Sequence, residues 1–211
     1  MRTPTSSSSA LGFARYNGRK DVDPNEIIEA CLTWREEFLF KQEGILAHYF
    51  FGNMQGQFAD MTFAKDQKAL DQMSEGFMAA PSSKAFLDKL NPETVSLIRC
   101  DILKDNFIPP AYFACLEFGT FDAVMDHPFS EKQMLCASDK IENEYLNRFE
   151  GSRGHFMGKV SDRTYAEISF VDTLANARQI CGGYLSDPAC FPLLSMFDPA
   201  SVNLDFWYLL A

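Results

Sequence analysis

The sequence repeats itself, and this duplication constrains the fold more than any other feature. At an offset of 107 residues, 10–104 align with 117–211 without a gap, and 17 of the 95 pairs are identical. Composition alone would give about 5 or 6 identities. The identical pairs include Gly44/Gly151, His48/His155, Phe63/Phe170 and Pro81/Pro188. We therefore expect two copies of one structural unit, at residues 10–104 and 112–211, joined by a linker at 105–111.

Each copy is predicted to contain the same elements in the same order. A strand opens the copy and a helix follows, with Asp23 or Ser130 as its N-cap, because a side-chain oxygen there accepts hydrogen bonds from the first turn. Two strands come next, then a helix broken at Pro81 or Pro188, and then a last strand. The order βαββαβ is that of a ferredoxin-like unit, whose antiparallel sheet carries helices on one face only.

The uncovered face of such a sheet must be buried, and two copies can bury it by packing face to face. The element order, the glycine followed by a strand after the first helix, and the segment 63–90 resemble the dimeric α+β barrel superfamily. That superfamily includes the antibiotic-biosynthesis monooxygenase-like proteins, which usually pair two chains. The resemblance extends over residues 10–210 and implies an α+β fold, in which two fused ferredoxin-like repeats form an intramolecular barrel.

Composition limits the partners that we expect. The chain has 29 acidic and 19 basic residues, a formal net charge of −10, so it should repel nucleic acids and anionic membrane surfaces. Its six cysteines include no CxxC pair, which favours free thiols in a reducing, cytoplasmic setting over disulfides or a metal site. We expect no cofactor, a small hydrophobic or aromatic ligand, and either a monomer or a homodimer.

Polar residues on the strands suggest a ligand site inside the barrel. Strand side chains alternate between the two faces of a sheet. In the third strands, the apolar sets Ala59, Met61, Phe63 and Ala166, Ile168, Phe170 are predicted to lie under the helices. The alternate sets then face the barrel interior, namely Phe58, Asp60, Thr62 and Tyr165, Glu167, Ser169. Asp205 and Trp207 on the last strand should join them, with Glu117 as a further candidate, which places the site nearer the second copy.

The two equivalent histidines are the other candidate residues. If the hairpin loop is 53–56, His48 pairs with Met61 and faces the helices, whereas a slip of one residue turns it inward beside Asp60 or Thr62. His127, which precedes a proline, is predicted to be a surface loop residue.

These residues lead to a functional hypothesis. We expect a small-molecule-binding barrel, and the candidate activities are those of a cofactor-independent monooxygenase or an isomerase that acts on an aromatic or polyketide-like substrate. Glu167 or His155 would be the general base, and Tyr165, Trp207, Asp60, Asp205 and His48 would bind the substrate. One alternative is a non-catalytic ligand-binding, stress-related or interaction protein with a filled barrel. Haem binding through His48 or His155 is another.

Overall fold

A computed structural model describes residues 6–124 and 129–211, so the prediction for His127 lies outside the described residues. The chain divides into two compact units. The first runs to Asp101 and includes Asp105–Pro109 and Leu209–Ala211; the second comprises Ile102–Lys104 and Pro110–Tyr208.

The first unit contains a four-stranded antiparallel sheet with the strand order β2-β3-β1-β4. Its strands are β1 (Ala10–Tyr16), β2 (Ile45–Gly52), β3 (Phe58–Ala64) and β4 (Ser96–Ile102), and its helices are α1 (Pro24–Glu37), α2 (Gln67–Phe77) and α3 (Pro81–Leu87). The Asp23 side chain accepts a hydrogen bond from the Asn25 N–H and so caps α1, as predicted. Before β2, Gly44 has φ +80°, a left-handed conformation that glycine adopts at little cost.

The second unit repeats this arrangement with the strand order β6-β7-β5-β8. Its strands are β5 (Cys115–Asp122), β6 (Ser152–Lys159), β7 (Thr164–Val171) and β8 (Asn203–Leu209), and its helices are α4 (Glu131–Glu144), α5 (Leu174–Gly183) and α6 (Phe191–Leu194). Ser130 caps α4 by accepting from the Gln133 N–H. The α+β class and the two ferredoxin-like repeats are therefore confirmed.

Each unit has a hydrophobic core between its sheet and its helices. In the first unit, Ile27 and Trp34 of α1 pack with Phe50 and Phe58 of the sheet. In the second unit, Met134 and Ile141 of α4 pack with Met157 and Tyr165. Within the described part of the chain, no helix is long and apolar enough to cross a membrane.

The predicted orientation of the third strands is wrong. Phe58 belongs to the helix-side core, and Asp60 and Thr62, two and four residues further along the strand, share its face. Tyr165 has the same place in the second unit, so Glu167 and Ser169, two and four residues further along that strand, also face the helices. Neither face of these strands is exposed, because Ala59, Met61 and Phe63 are as fully buried as the polar set. Hydrophobicity therefore could not identify the helix side.

The position of His48 follows from the length of the hairpin loop. The loop spans residues 53–57, one residue longer than the shorter alternative, so His48 pairs with Thr62 and not with Met61. The Asn53 side chain accepts hydrogen bonds from the N–H groups of Gln55 and Gln57, which stabilises the longer loop. Since Thr62 faces the helices, His48 faces them too.

Candidate functional site

The first unit contains a cavity of about 220 Å³ between its sheet and its helices. Most of the residues that line it are apolar, and they come from β1, α1, β3, α2, α3, the turn after α3 and β4. The lining residues are Gly12, Ala14, Tyr16, Trp34, Asp60, Thr62, Leu70, Met73, Ser74, Phe77, Phe86, Leu87, Leu90, Val95, Leu97 and Arg99. A largely apolar cavity with a few polar groups is the usual form of a small-molecule site.

Small residues on β1 leave this space open. Gly12 contributes no side chain, and an added Cβ there would approach Leu70 no closer than 3.9 Å. Two residues further, the side chain of Ala14 is a single methyl group. These two positions form the sheet side of the cavity.

Larger side chains occupy the equivalent region of the second unit. Phe121 is the repeat equivalent of Ala14, and its ring stacks on Phe197 with 3.3 Å between the ring centroids. At Gly119, the equivalent of Gly12, a Cβ would lie only 3.1 Å from the Leu204 side chain. The repeats have therefore diverged in side-chain volume at the same positions of the fold.

Asp60 is the carboxylate of the cavity wall. The Tyr16 hydroxyl donates to its Oδ2 at 3.1 Å, and His48 Nε2 lies 3.7 Å from its Oδ1, which is too long for a direct hydrogen bond. Burial, and then the negative charges of Asp60 and Cys31, raise the pKa of Tyr16 well above its ordinary value. Tyr16 therefore stays a phenol at neutral pH and can act as a donor to the carboxylate.

His48 is buried behind this carboxylate. Its ring is 1% exposed and packs edge-on against Trp34 with 5.3 Å between the ring centroids. Among the described residues, neither ring nitrogen has a hydrogen-bond partner within ordinary distance. His48 does not line the cavity itself, so it can act on a ligand only through Asp60.

Arg99 lies where the cavity meets the surface. Val95 and Leu97, two other lining residues on the same segment, are 43% and 57% exposed. The Arg99 guanidinium donates to the Asp71 carboxylate at 2.6 Å and to the Ser74 hydroxyl at 2.5 Å. These two bonds from α2 hold the positive charge at the mouth.

The second unit carries a buried ionic cluster at its helix side. His155 Nε2 lies 3.0 Å from Glu167 Oε1, and His155 Nδ1 lies 3.9 Å from Glu142 Oε2. Burial opposes the charged imidazolium, but the hydrogen bond to Glu167 and the negative charges of Glu142 and Glu167 outweigh it and raise the pKa of His155 to about 9. Lys104 donates to Glu142 at 2.6 Å. His155 therefore carries a proton at neutral pH and is not available there as a general base.

Glu117 is a buried acid next to this cluster. It is 2% exposed, and burial, followed by the negative charge of Glu167, raises its pKa to about 8, while His155 lowers it. Glu117 therefore keeps its proton at neutral pH. The sequence signal for this buried acid was a glutamate within an apolar strand, at the position where the first copy has Ala10.

The structure separates the predicted site residues into three groups. Asp60 and His48 lie in the first unit, while His155 and Glu167 are in contact in the second. Tyr165 is also on the helix side of the second unit, where its hydroxyl donates to Glu131 at 3.2 Å. Trp207 and Asp205 pair with Leu116 and Phe118 and lie on the sheet face opposite to Glu167. They point away from the helices, as predicted for the last strand, but the prediction that they share a face with Glu167 is wrong. These residues do not form one site, and sequence reasoning missed Tyr16 and placed no cavity at Asp60.

The histidines do not fit the haem alternative. His48 and His155 are each 1% exposed, and neither lines the cavity, so neither of these two histidines presents a ring nitrogen to a group bound there. Across residues 6–124 and 129–211, no three His, Cys, Asp or Glu side chains are grouped in a way that could hold a metal ion.

Solved structures similar to this chain were found, although no protein-family model and no curated protein matches it. An anthrone oxidase-like protein is 10% identical with a TM-score of 0.62, and the match covers 99% of this chain and 94% of that protein. A candidate monooxygenase from Fusobacterium nucleatum is 11% identical with a TM-score of 0.63, covering 97% and 94%. Chlorite dismutase from Candidatus Nitrospira defluvii, in complex with imidazole, is 8% identical with a TM-score of 0.66, covering 98% and 93%.

Identities this low show the fold alone, but they show it over nearly the whole chain. The chain therefore shares an α+β fold with these proteins, and it carries two ferredoxin-like repeats in one polypeptide.

Proposed function

We propose that the cavity of the first unit binds a small aromatic molecule, and that Asp60 removes a proton from it to begin a cofactor-independent oxidation by O₂. The observation that carries this proposal is a carboxylate at the wall of a largely apolar cavity, with a phenol donating to it. The similarity in fold to an anthrone oxidase-like protein and to a candidate monooxygenase agrees with it.

The size and lining of the cavity suit an aromatic ligand. An apolar cavity of about 150 Å³ already accepts benzene, and this one measures about 220 Å³ and opens to the surface beside Leu97. Trp34, Phe77 and Phe86 supply aromatic walls. A fused-ring compound can bury its rings there and extend through the mouth.

Asp60 has the contacts that a positioned base needs. Its Oδ2 accepts from Tyr16 and its Oδ1 lies towards His48, so the carboxylate is held in one orientation. A base fixed beside an acidic C–H of the ligand removes its proton without the cost of orienting two free molecules. Tyr16, which stays protonated, can stabilise the carboxylate before transfer.

The reaction balances without an external reductant. Asp60 takes a proton from the carbon between the two outer rings of an anthrone, and the carbanion passes one electron to O₂. The two radicals combine to give a peroxide on that carbon, which is then protonated. The peroxide loses the second C–H proton and hydroxide as its O–O bond breaks. Anthrone and O₂ thus give anthraquinone and one water.

The test measures O₂ uptake and anthraquinone formation with anthrone as the probe. We expect Asp60→Asn to lower turnover by a factor of about 10² to 10⁴, while anthrone still raises the thermal midpoint of the variant. Glu167→Gln, which changes the equivalent carboxylate of the second repeat, is the matched control and should retain turnover.

Other results would redirect the assignment. Loss of turnover in Glu167→Gln but not in Asp60→Asn would place the base in the second unit, as the sequence alone predicted. Binding of anthrone to the unaltered protein without consumption would indicate a ligand carrier.

A further inference from the structure

The positive group at the mouth of the cavity narrows the class of ligand. Arg99 lines the cavity and is oriented by Asp71 and Ser74 of α2. A guanidinium has five N–H donors, so these two bonds leave donors that can meet a ligand. The remaining lining residues near the mouth, Val95 and Leu97, are apolar.

Arg99 and Asp60 lie at opposite ends of the cavity floor. Ala14 pairs with Asp60 on one side, and Gly12 pairs with Arg99 on the other side of β1. Two strand spacings and two residues of rise put their Cα atoms about 12 Å apart. Gly12 and Ala14 lie between them and contribute almost no side chain, so a flat ring system has space along this line.

The exposed position of Asp71 leaves the charge of Arg99 effective. The Asp71 side chain is 63% exposed, and an ion pair with so exposed a partner is weakened by solvent and salt. Asp71 therefore orients the guanidinium more than it neutralises it. The repeat equivalent of Arg99 in the second unit is Phe206, which packs against the core there, so this cation is a feature of the first unit.

We propose that the ligand of this cavity is an aromatic carboxylate, with its carboxylate bound by Arg99 at the mouth and its acidic hydroxyl or C–H held at Asp60. This inference rests on the proposed function, because it takes the cavity to be the ligand site. Guanidinium groups bind carboxylates through paired hydrogen bonds. Arg99 thus becomes the residue that selects acids over neutral compounds of the same shape.

The test compares two fluorescent probes of nearly equal size, 6-hydroxy-2-naphthoic acid and 6-hydroxy-2-naphthamide. We expect the unaltered protein to bind the acid at least about tenfold more tightly, since a charged hydrogen-bonded contact is worth about a factor of ten. Arg99→Gln should remove this preference and leave the affinity for the amide unchanged. Arg153→Gln removes the same charge from the surface of the second unit and should change neither affinity.

Each other outcome overturns the inference in a recognisable way. Equal affinity for the two probes, or a preference for the acid that persists in Arg99→Gln, would refute the selection of acids by Arg99. In either case, loss of amide binding in Ala14→Phe, which fills the cavity, would show that the cavity is still the ligand site and that only the selection of acids is refuted. Failure of both probes to bind would overturn the proposed ligand site and this inference together.

Discussion

Glu117→Gln should change how the stability of the protein depends on pH. In the folded state the pKa of the Glu117 carboxyl is raised from its ordinary value of 4.5 to about 8, first by burial and then by the negative charge of Glu167. A group whose pKa is raised on folding stabilises the fold below its unfolded pKa, and this stabilisation is lost as the pH rises through the folded pKa. Between these values the folded state holds about one more proton than the unfolded state.

The size of the effect follows from the pKa shift. Each pH unit lowers the free energy of unfolding by about 1.4 kcal/mol per extra proton. The titration of Glu117 therefore lowers it by about 4 kcal/mol between pH 4.5 and 8, because the extra proton is only partly bound at each end of this range. His155, whose pKa rises from 6.5 to about 9, lowers stability further between those values. Glu142, with its pKa lowered to about 2, acts in the opposite direction and only in acid. Stability should therefore be greatest near pH 5.

The assay is chemical denaturation of both proteins at pH 5, 6.5 and 8. Glutamine resembles the protonated acid and does not titrate. The unfolding free energy of the variant should therefore fall much less between pH 5 and 8 than that of the unaltered protein. Glu93→Gln, at an exposed position, is the control and should follow the unaltered protein. A Glu117→Gln variant whose unfolding free energy falls with pH as steeply as that of the unaltered protein would refute the reasoning.

Three further substitutions test the packing of the repeats. Ala14→Phe puts a phenyl ring in the cavity, the side chain that Phe121 has at the equivalent position of the second unit. Anthrone should then no longer raise the thermal midpoint, while the unfolding free energy falls by no more than the roughly 1–3 kcal/mol of an overpacked interior, and retained binding would contradict the cavity as the site. Gly44→Ala should lower the unfolding free energy by about 1–2 kcal/mol, because φ is +80° and the new Cβ would lie 2.7 Å from Ala69 Cβ; an unchanged denaturation midpoint would argue against this backbone conformation. Tyr145→Phe removes a 2.6 Å hydrogen bond to a carbonyl of α5 and should lower the unfolding free energy, measured by calorimetry, by about 1 kcal/mol. No loss would mean that the carbonyl finds another donor.

The order and extent of the elements were predictable because they depend on local signals. Capping side chains at Asp23 and Ser130 mark the helix starts, and alternating or helical periodicity separates strands from helices. The duplication doubled each signal, since a weak pattern in one copy is repeated at an offset of 107 residues in the other. The strand β2, Ile45–Gly52, begins directly after Gly44, as the glycine followed by a strand predicted.

The orientation of the strands could not be predicted, and neither could the site that depends on it. Alternation divides β3 into two sets but does not say which set faces the helices, and here Met61 and Asp60 are both buried. The cavity depends on small differences in side-chain volume, which periodicity does not record. The pair Ala14 and Phe121 was the available signal, because a small residue opposite a large one in aligned repeats indicates space in only one of them.

The two repeats have diverged in charge as well as in volume, and both changes favour the first unit as the ligand site. His155 lies between Glu142 and Glu167, whereas the position equivalent to Glu142 in the first repeat is the buried Arg35, which carries the opposite charge. A buried cluster of ions holds its members in place but adds little stability, because desolvation opposes the attraction.

In the second unit, therefore, these polar residues pair with one another, and aromatic rings fill the space beside them. In the first unit, the Asp60 carboxylate, the counterpart of Glu167, lines open space, and among the residues that the structure describes Tyr16 is its one side-chain hydrogen-bonding partner within ordinary distance. A polar atom at the wall of a cavity gains most from a ligand that hydrogen-bonds to it. The two repeats thus differ in the way that the proposed function requires, with stacked aromatic rings in the second unit and an open cavity in the first.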